Sequence, residues 1–377
     1  MTTFFPMTKA TLGLSITRES LCLVEIRRSW NRVTCRAIAE RFLPPNVVRL
    51  SPTRPNIEDM NAFTHSLKSL VEHLSRPQSV ALSLPDVCGR TTILTFSSLP
   101  AKQTEQDSLV RWKFQQDMNV VPDQTRFAYR VFSHSKEPTS PKRVLATAVQ
   151  HDILEQYEQA CLEVGLLPNS VGLSGLDACE YFQPTMQSLN QRIKNQAREL
   201  TQEHLFVYFA NWGFWFIAFQ DNHPTFIRVK SLPLPRVHSQ EHLVAETDSH
   251  ASTLSEAPDI QHDTGNQVFD DYSPLQVNHV SNELAATLQY YFESQPHAPH
   301  DQVPIPLYVA EGLWHGDRLL PTEETVATLL ATSSSYAPPV RISRVSDMLS
   351  PKLRRTILRS EPQMTSFSAF ASAAVLS

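Results

Sequence analysis

Two segments of the chain share one pattern of strand, turn and strand, and this duplication constrains the fold more than any other feature. Residues 12–26 (LGLSITRESLCLVEI) align without a gap with residues 205–219 (LFVYFANWGFWFIAF). Apolar residues coincide at these aligned positions: Leu12/Leu205, Leu14/Val207, Ile16/Phe209, Leu21/Phe214, Leu23/Phe216, Val24/Ile217 and Ile26/Phe219. In the second segment an Asn close to a Gly separates two aromatic, β-rich runs, which is a signal for a hairpin turn. We therefore predict two buried hairpins, each at the start of one half of a duplicated α/β fold.

The length and composition indicate an ordinary soluble protein of two or three domains. The chain has 377 residues, and the prior is about 150 residues per domain. Its net charge of −5 gives no electrostatic reason to bind nucleic acid, which favours a basic face. No apolar run reaches the roughly 20 residues of a membrane-spanning helix, and the N-terminus lacks the pattern of a signal peptide. The five cysteines are scattered without CxxC spacing, which is typical of a protein in a reducing cytoplasm.

A small subdomain is predicted within the first half, over residues 89–168. Its elements have the order β-α-β-β-α, with strands at 90–96, 126–132 and 143–150 and helices at 104–118 and 151–164. Gly165 is expected to close the second of these helices. The first half then comprises residues 1–88 and 169–202, with a helix at 57–75 that has Asn56 as its N-cap. Its other expected elements are strands at 32–43, 79–84 and 169–173 and a helix at 174–201.

The second half is predicted over residues 203–377. Residues 231–274 contain eight acidic residues and one basic residue with little periodicity, and this composition predicts a disordered insertion. The remaining expected elements are strands at 225–230, 305–310 and 340–342 and helices at 277–292, 322–330 and 364–376. The strand at 305–310 leads into a single glycine, Gly312.

The order of these elements resembles the actin-like (ribonuclease H-like) ATPase superfamily, which has two hairpin-led halves and a small α/β subdomain inserted in the first. Within it, the chain is similar to the PilM branch of type IV pilus assembly proteins, relatives of the division protein FtsA. The phrases that carry this resemblance are RFLPP at 41–45, ALSLPD at 81–86, LVRWKFQQDMNVVPD at 109–123 and RVLATAVQHDILEQYEQACLEVGLLPNSV at 143–171. It covers nearly the whole chain, and the acidic insertion is the main departure.

The resemblance implies a nucleotide site that has lost its usual residues. In that superfamily each hairpin is a phosphate loop, with an Asp that holds Mg²⁺ and a Gly whose amide meets a phosphate. The degenerate nucleotide-site positions in this chain are Ser15, Thr17, Ser20, Tyr208, Ala210 and Gly312. A divalent cation prefers carboxylate oxygens, and phosphate requires closely approaching amides. We therefore expect no catalytic residues, no metal and no cofactor, as in a pseudo-ATPase.

The resemblance also implies a protein partner. PilM proteins bind the short cytoplasmic N-terminal tail of PilN, an inner-membrane protein, in a groove beside the inserted subdomain. Our candidates for this groove are Arg111, Trp112, Phe114 and Tyr129, because aromatic and arginine side chains are favoured anchors. The simpler alternative is that one aromatic residue of this helix packs inside the subdomain and another is partly exposed. The strand at 126–132 is a candidate edge for main-chain pairing.

The expected function is a non-enzymatic scaffold of a type IV pilus machine, cytoplasmic and peripheral at the inner membrane through its partners. Other pilus assembly proteins and a second copy of the chain are further candidate partners. One alternative is a working ATPase switch, which would bind ATP and Mg²⁺. Another is a type II secretion component similar to the cytoplasmic part of GspL. Gly172 and Gly175, followed by Asp177, are interpreted as a strand-to-helix turn.

Overall fold

The computed structural model describes residues 11–29, 32–72, 78–132, 141–196, 203–232, 274–294, 304–311, 323–333, 339–348 and 374. The strands in these ranges are β1 (Leu12–Ile16), β2 (Ser20–Ser29), β3 (Arg32–Phe42), β4 (Gln78–Leu84), β5 (Gly89–Phe96), β6 (Thr125–Phe132), β7 (Lys142–Gln150), β8 (Leu166–Leu173), β9 (Glu203–Ala210), β10 (Gly213–Gln220), β11 (His223–Ser231), β12 (Ile305–Glu311) and β13 (Val340–Arg344). The helices are α1 (Met60–Val71), α2 (Gln103–Met118), α3 (His151–Glu163), α4 (Ser174–Gln196), α5 (Pro274–Ser294) and α6 (Glu323–Ser333).

The two halves contain sheets of the same design. The first sheet has the order β3-β2-β1-β4-β8, and the second has the order β11-β10-β9-β12-β13. In each sheet three antiparallel strands are followed by two strands that run parallel to the first strand of the hairpin. The two hairpins predicted from the aligned segments are β1–β2 and β9–β10, and both occupy the middle of their sheets.

One apolar cluster joins the two halves. Helix α4 contributes Phe182 and Met186 to this cluster, and the first hairpin contributes Val24. The second hairpin contributes Phe206 and Trp215, which are both fully buried. The sheets therefore share α4 as a common layer, and burial of its apolar face holds them together.

The small subdomain has its own core. Strands β5, β7 and β6 form a three-stranded antiparallel sheet in that order, and helix α2 packs on it through Val110 and Phe114. Helix α3 belongs elsewhere, because its Tyr157 packs against Phe63 of α1 with ring centroids 5.9 Å apart. Since α3 lies in the core of the first half, its packing differs from the expected grouping of residues 89–168 into one unit. Gly165 follows α3 with φ of 81°, which is the left-handed conformation typical of a residue after a helix C-cap.

Helix α1 begins three residues later than predicted. Asp59, not Asn56, is its N-cap, and its carboxylate accepts the N–H of Ala62 at 2.9 Å. Asn56 is fully buried, where its amide nitrogen donates to Cys88 Sγ and its amide oxygen accepts from Ser51 N at 2.8 Å. Both Asn and Asp favour the N-cap, so the local sequence does not distinguish them.

Several predictions concern residues that the structure does not describe. Most of the expected disordered insertion at 231–274, the glycine Gly312 and nearly all of the helix at 364–376 lie outside the described residues. Ser231 ends strand β11 and Pro274 begins helix α5, so both ends of the acidic segment are attached to regular elements.

Unfolding experiments on variants can distinguish the role of Asn56 as a buried hydrogen-bonding residue from the role of Asp59 as the N-cap. We expect Asp59→Ala to lower the free energy of unfolding by about 1 kcal/mol, since it removes one exposed cap. Asn56→Ala should cost more, about 2–3 kcal/mol, because it leaves buried hydrogen-bonding groups without partners. Urea unfolding of both variants, with the exposed Asn61→Ala as control, measures the difference. A larger loss for Asp59→Ala than for Asn56→Ala would contradict this ranking.

Candidate functional site

The turn of the first hairpin is closed by hydrogen bonds from its own residues. Thr17 Oγ1 accepts the backbone N–H groups of Glu19 at 3.2 Å and of Ser20 at 2.9 Å. The Thr17 hydroxyl also lies 3.1 Å from the carbonyl oxygen of Ser20, to which it donates, and Thr17 N donates to the same oxygen at 2.9 Å. Backbone N–H groups in a turn are the donors that an anion would use. In this turn the side chain of Thr17 already takes the N–H groups of Glu19 and Ser20.

A buried carboxyl group lies behind this turn. Glu40 of β3 receives a hydrogen bond from the Ser20 side chain, and burial raises the pKa of Glu40 to about 7 in spite of that bond. Ser15, where the resemblance implies a Mg²⁺-binding Asp, is buried in β1 between Cys22 of β2 and Ser83 of β4. The first hairpin therefore presents hydroxyl groups where a cation would require carboxylates.

The turn of the second hairpin is packed against strand β11. The carbonyl oxygen of Trp212 accepts Leu232 N at 2.9 Å, and Trp212 itself is buried. Gly213 has φ of 139°, and a Cβ at this position would collide with the carbonyl oxygen of Lys230. The glycine is therefore required for the close approach of β11. Tyr208 is buried and Ala210 is half-buried, and both belong to β9. Gly312, the third element of the expected site, lies outside the described residues, and β12 ends at Glu311.

One pocket of about 580 Å³ lies beside both hairpin turns. It is bordered by Arg18 of the first turn, by Trp212 of the second turn and by residues of the subdomain such as Arg90 and Met118. The pocket therefore lies where the first half, the second half and the subdomain meet. We call it the arginine pocket, after the three arginines in its wall: Arg18, Arg49 and Arg90.

The three arginines of this pocket are exposed and have no carboxylate partner among the described residues. Some other arginines do have one: Arg126 pairs with Glu158 at 2.6 Å and Arg130 with Glu180 at 3.2 Å. Of the described residues that line the pocket, none is Asp or Glu. Like charges gathered in a concave site raise the local positive potential, so the pocket attracts anions.

The predicted partner-binding residues lie on the subdomain and do not line the arginine pocket. Trp112 is 59% exposed on helix α2, and the guanidinium of Arg111 lies 4.9 Å from the ring centroid of Phe127. The hydroxyl of Tyr129 hydrogen-bonds to Asp107 of α2. Phe114 is buried, with its ring 5.1 Å from that of Phe127, so it is a core residue and has no surface to offer a partner.

Strand β6 is the outer strand of the small sheet, as the sequence suggested for a pairing edge. Its Arg126 and Arg130 form the ion pairs with Glu158 of α3 and Glu180 of α4. These contacts connect the edge of the subdomain to the main body. A segment that pairs with β6 would therefore lie next to both ion pairs.

A buried aspartate connects the end of β4 to the start of helix α4. Asp86 Oδ2 accepts Gly175 N at 2.7 Å and the Ser174 hydroxyl at 3.1 Å. Burial raises the pKa of Asp86 to about 7, although these hydrogen bonds oppose the shift. A Cβ at Gly175 would lie 2.8 Å from Trp215 Cβ, so the glycine permits close packing of the two halves. The predicted strand-to-helix turn around Gly172 and Gly175 is thus present, and it is a packing element.

Sequence reasoning missed Arg49, Arg90, Glu40 and Asp86. It also missed Arg18, which lies within the first hairpin turn, and Arg49 and Arg90 are single arginines with no periodicity around them. Asp86 is the last residue of the ALSLPD phrase at 81–86, where Pro85 precedes it. The local sequence does contain one indication, because an Asp that follows a proline at the end of an apolar strand often caps a turn or a helix.

Comparison with known proteins bears on the fold. No protein-family model and no curated protein matches the sequence. A solved structure of a PilM-PilN type IV pilus biogenesis complex contains a chain that is 14% identical, with a TM-score of 0.62 over 98% of both chains. The cytoplasmic domain of EpsL, an inner membrane component of the type II secretion system of Vibrio cholerae, is 9% identical, with a TM-score of 0.38 over 86% of this chain and 95% of that one. A Bacteroides thetaiotaomicron protein with an actin-like ATPase fold and unknown function is 10% identical, with a TM-score of 0.44 over 92% and 95%.

The similarity to the chain of the PilM-PilN complex extends over the full length and shows a common fold. Together with the matching strand orders of the two sheets, it confirms the predicted duplicated α/β fold of actin-like type. Of the helices in the described ranges, none has the length and hydropathy needed to cross a membrane. Among the same residues, no three His, Cys, Asp or Glu side chains are grouped as metal ligands would be.

The raised pKa of Asp86 predicts a pH dependence of stability. Because its folded pKa of about 7 exceeds the ordinary value, the folded protein binds a proton that the unfolded chain has released. The free energy of unfolding should therefore fall as pH rises from about 4 to 7, and Asp86→Asn should remove this contribution. Between pH 4 and 7, the difference in free energy of unfolding between Asp86→Asn and the parent should change by on the order of 1 kcal/mol per pH unit.

Chemical denaturation at several pH values measures this difference. The exposed Asp117→Asn serves as the control and should give a curve parallel to that of the parent. Glu40 titrates in both proteins of each pair, so its contribution cancels. An Asp86→Asn curve that stays parallel to the parent between pH 5 and 7 would contradict the assignment.

Proposed function

We propose that this protein is a scaffold of a type IV pilus assembly machine that does not hydrolyse ATP and binds the cytoplasmic tail of a PilN-like inner-membrane protein. The observation that carries the non-enzymatic part is the closed first turn, where Thr17 accepts the N–H groups of Glu19 and Ser20. The full-length similarity to a chain from a PilM-PilN complex supports the partner. A tail bound in this way would hold the protein at the inner membrane from the cytoplasmic side.

Three features of the hairpins argue against a bound nucleotide and magnesium. Ser15 and Tyr208 provide no carboxylate for the cation at the ends of β1 and β9. The N–H groups of the first turn are occupied by Thr17. In the second turn Gly213 serves the packing of β11. Restoring any one of these features leaves the other two unchanged, so a single substitution should not create an ATP site.

The surface of helix α2 is the proposed wall for the tail. Trp112 is a large, exposed aromatic residue, and such residues are frequent anchors in protein interfaces. Arg111 lies on the same helix with its guanidinium over Phe127, where it is held in place for contacts with a partner. The outer strand β6 supplies main-chain groups for an extended peptide. Phe114 supports this surface from the core.

We predict that ATP does not bind at millimolar Mg²⁺, because the donors and ligands it needs are missing or occupied. Calorimetry and a fluorescent nucleotide analogue should both detect no complex. Ser15→Asp alone should behave in the same way, since the Thr17 turn stays closed. A Kd below about 100 μM, which corresponds to about −5.5 kcal/mol, would contradict the proposal and favour the ATPase switch.

We predict that Trp112→Ala and Arg111→Ala weaken binding of a synthetic PilN-like tail peptide by about 1–3 kcal/mol each, as interface anchors do. Fluorescence anisotropy measures the affinity, and circular dichroism first checks that each variant is folded. Asp117→Ala, at an exposed position of the same helix that helical spacing turns away from Arg111 and Trp112, is the matched control. If folded Trp112 and Arg111 variants bind the peptide as tightly as the parent, the tail does not bind at this surface. If the parent protein does not bind the peptide at all, the proposed function is wrong.

A further inference from the structure

The arginine pocket is separate from the surface proposed for the tail. None of Arg111, Trp112, Phe114 and Tyr129 lines it, and its wall comes from all three parts of the molecule. Its volume of about 580 Å³ lies within the range of natural ligand sites, which is about 300–1,000 Å³. The proposed function uses no residue of this pocket, so the role of the pocket is an independent question.

Charge decides which class of ligand the pocket fits. Arg18, Arg49 and Arg90 come from three different parts of the chain and line one concave site, and none of its described lining residues is Asp or Glu. Three positive charges on one concave wall raise the local positive potential, which favours an anionic ligand. Arginine pairs especially well with carboxylates, since its planar group forms two parallel hydrogen bonds to them. Arg126 and Arg130 have glutamate partners, whereas the three arginines of the pocket have none among the described residues and their guanidinium groups are available to a ligand.

The rest of the wall favours a peptide over a small polar anion. Leu50, Val87, Met118, Trp212 and Leu232 are apolar side chains in the same lining. A free phosphate or a small dicarboxylate would leave this apolar surface in contact with water. A peptide with apolar residues between its acidic residues would cover it while its carboxylates meet the arginines.

We propose that the arginine pocket binds an acidic peptide segment of a partner protein, with carboxylates on Arg18, Arg49 and Arg90 and apolar side chains on the wall between them. This second interaction goes beyond the proposed tail binding and does not depend on it. Since the pocket borders both hairpin turns and the subdomain, a bound segment would contact every part of the fold. The site thus uses the cleft between the halves for protein recognition.

The test is binding of a fluorescein-labelled peptide, GELDELDG, to the full chain by fluorescence anisotropy. The neutral peptide GQLNQLNG is the matched control and should not bind. Each of Arg18→Gln, Arg49→Gln and Arg90→Gln should weaken binding at least fivefold, and the Arg18/Arg49 double variant should abolish it. Lys68→Gln, at an exposed position of α1 outside the pocket, should leave the affinity unchanged. Raising the salt concentration to about 0.5 M should also weaken binding, because screening shortens the reach of exposed charges.

The chain carries its own acidic residues, eight of them within 231–274, and these have the same chemistry as the probe. All measurements are therefore repeated in a chain in which these eight are Asn or Gln. Binding to the parent chain that depends on the three arginines supports the proposal. Binding that appears only after the eight acidic residues are neutralised would make this chain's own acidic segment the occupant and would contradict a partner in that place. The proposal is wrong if the acidic peptide binds in neither background, if the arginine variants bind as tightly as Lys68→Gln, or if micromolar ADP with Mg²⁺ displaces the peptide. None of these outcomes affects the proposed binding of the PilN-like tail, because that binding is measured separately with the Trp112 variant.

Discussion

The contact between Gly175 and Trp215 is the constraint on which the rest of the structure depends. A Cβ at Gly175 would lie 2.8 Å from Cβ and Cγ of Trp215, so only a glycine allows helix α4 to approach the second sheet this closely. Trp215 is fully buried in the cluster that the two halves share. Asp86 holds the start of α4 in place through Gly175 N, and this brings the first sheet to the same point. The relative position of the two hairpin turns follows from this packing.

The first hairpin turn uses its polar groups for internal contacts, and the second turn is packed against β11. In the first turn the hydroxyl of Thr17 accepts two backbone N–H groups. In the second turn the backbone bends around Gly213 so that β11 can pack against it. A turn that has satisfied its own donors gains little from a phosphate, because each new hydrogen bond would replace an existing one. The positive charge beside these turns comes from arginine side chains, which recognise carboxylates without a metal ion.

The subdomain is connected to the main body by ion pairs and by apolar contacts such as that of Val149, while the cluster around Phe114 is a core of its own. Its cluster around Phe114 is formed by α2 and the small sheet alone. Two ion pairs from β6 and the lining of the arginine pocket connect it to the halves. Exposed ion pairs contribute modestly to stability.

The sequence by itself determined the duplicated hairpins, the α/β class and most of the elements. These follow from local properties, since apolar alternation specifies strands and turn residues specify where they end. The tertiary structure decided three things that no local pattern contains. Helix α3 packs on Phe63 of the first half, although its sequence position adjoins the subdomain. Asn56 became a buried hydrogen-bonding residue, while Asp59 took the N-cap that either side chain could occupy.

The arginine pocket was the third of these. Arg18, Arg49 and Arg90 are far apart in the sequence, and each would be an ordinary exposed cation in its own segment. They share a wall because the first hairpin, the segment after β3 and the start of β5 meet at one place in the fold. Secondary structure depends largely on residues that are close in the sequence, so the local pattern is enough to predict it. A binding site depends on which distant surfaces come together, and that is fixed by the packing of the halves and the subdomain.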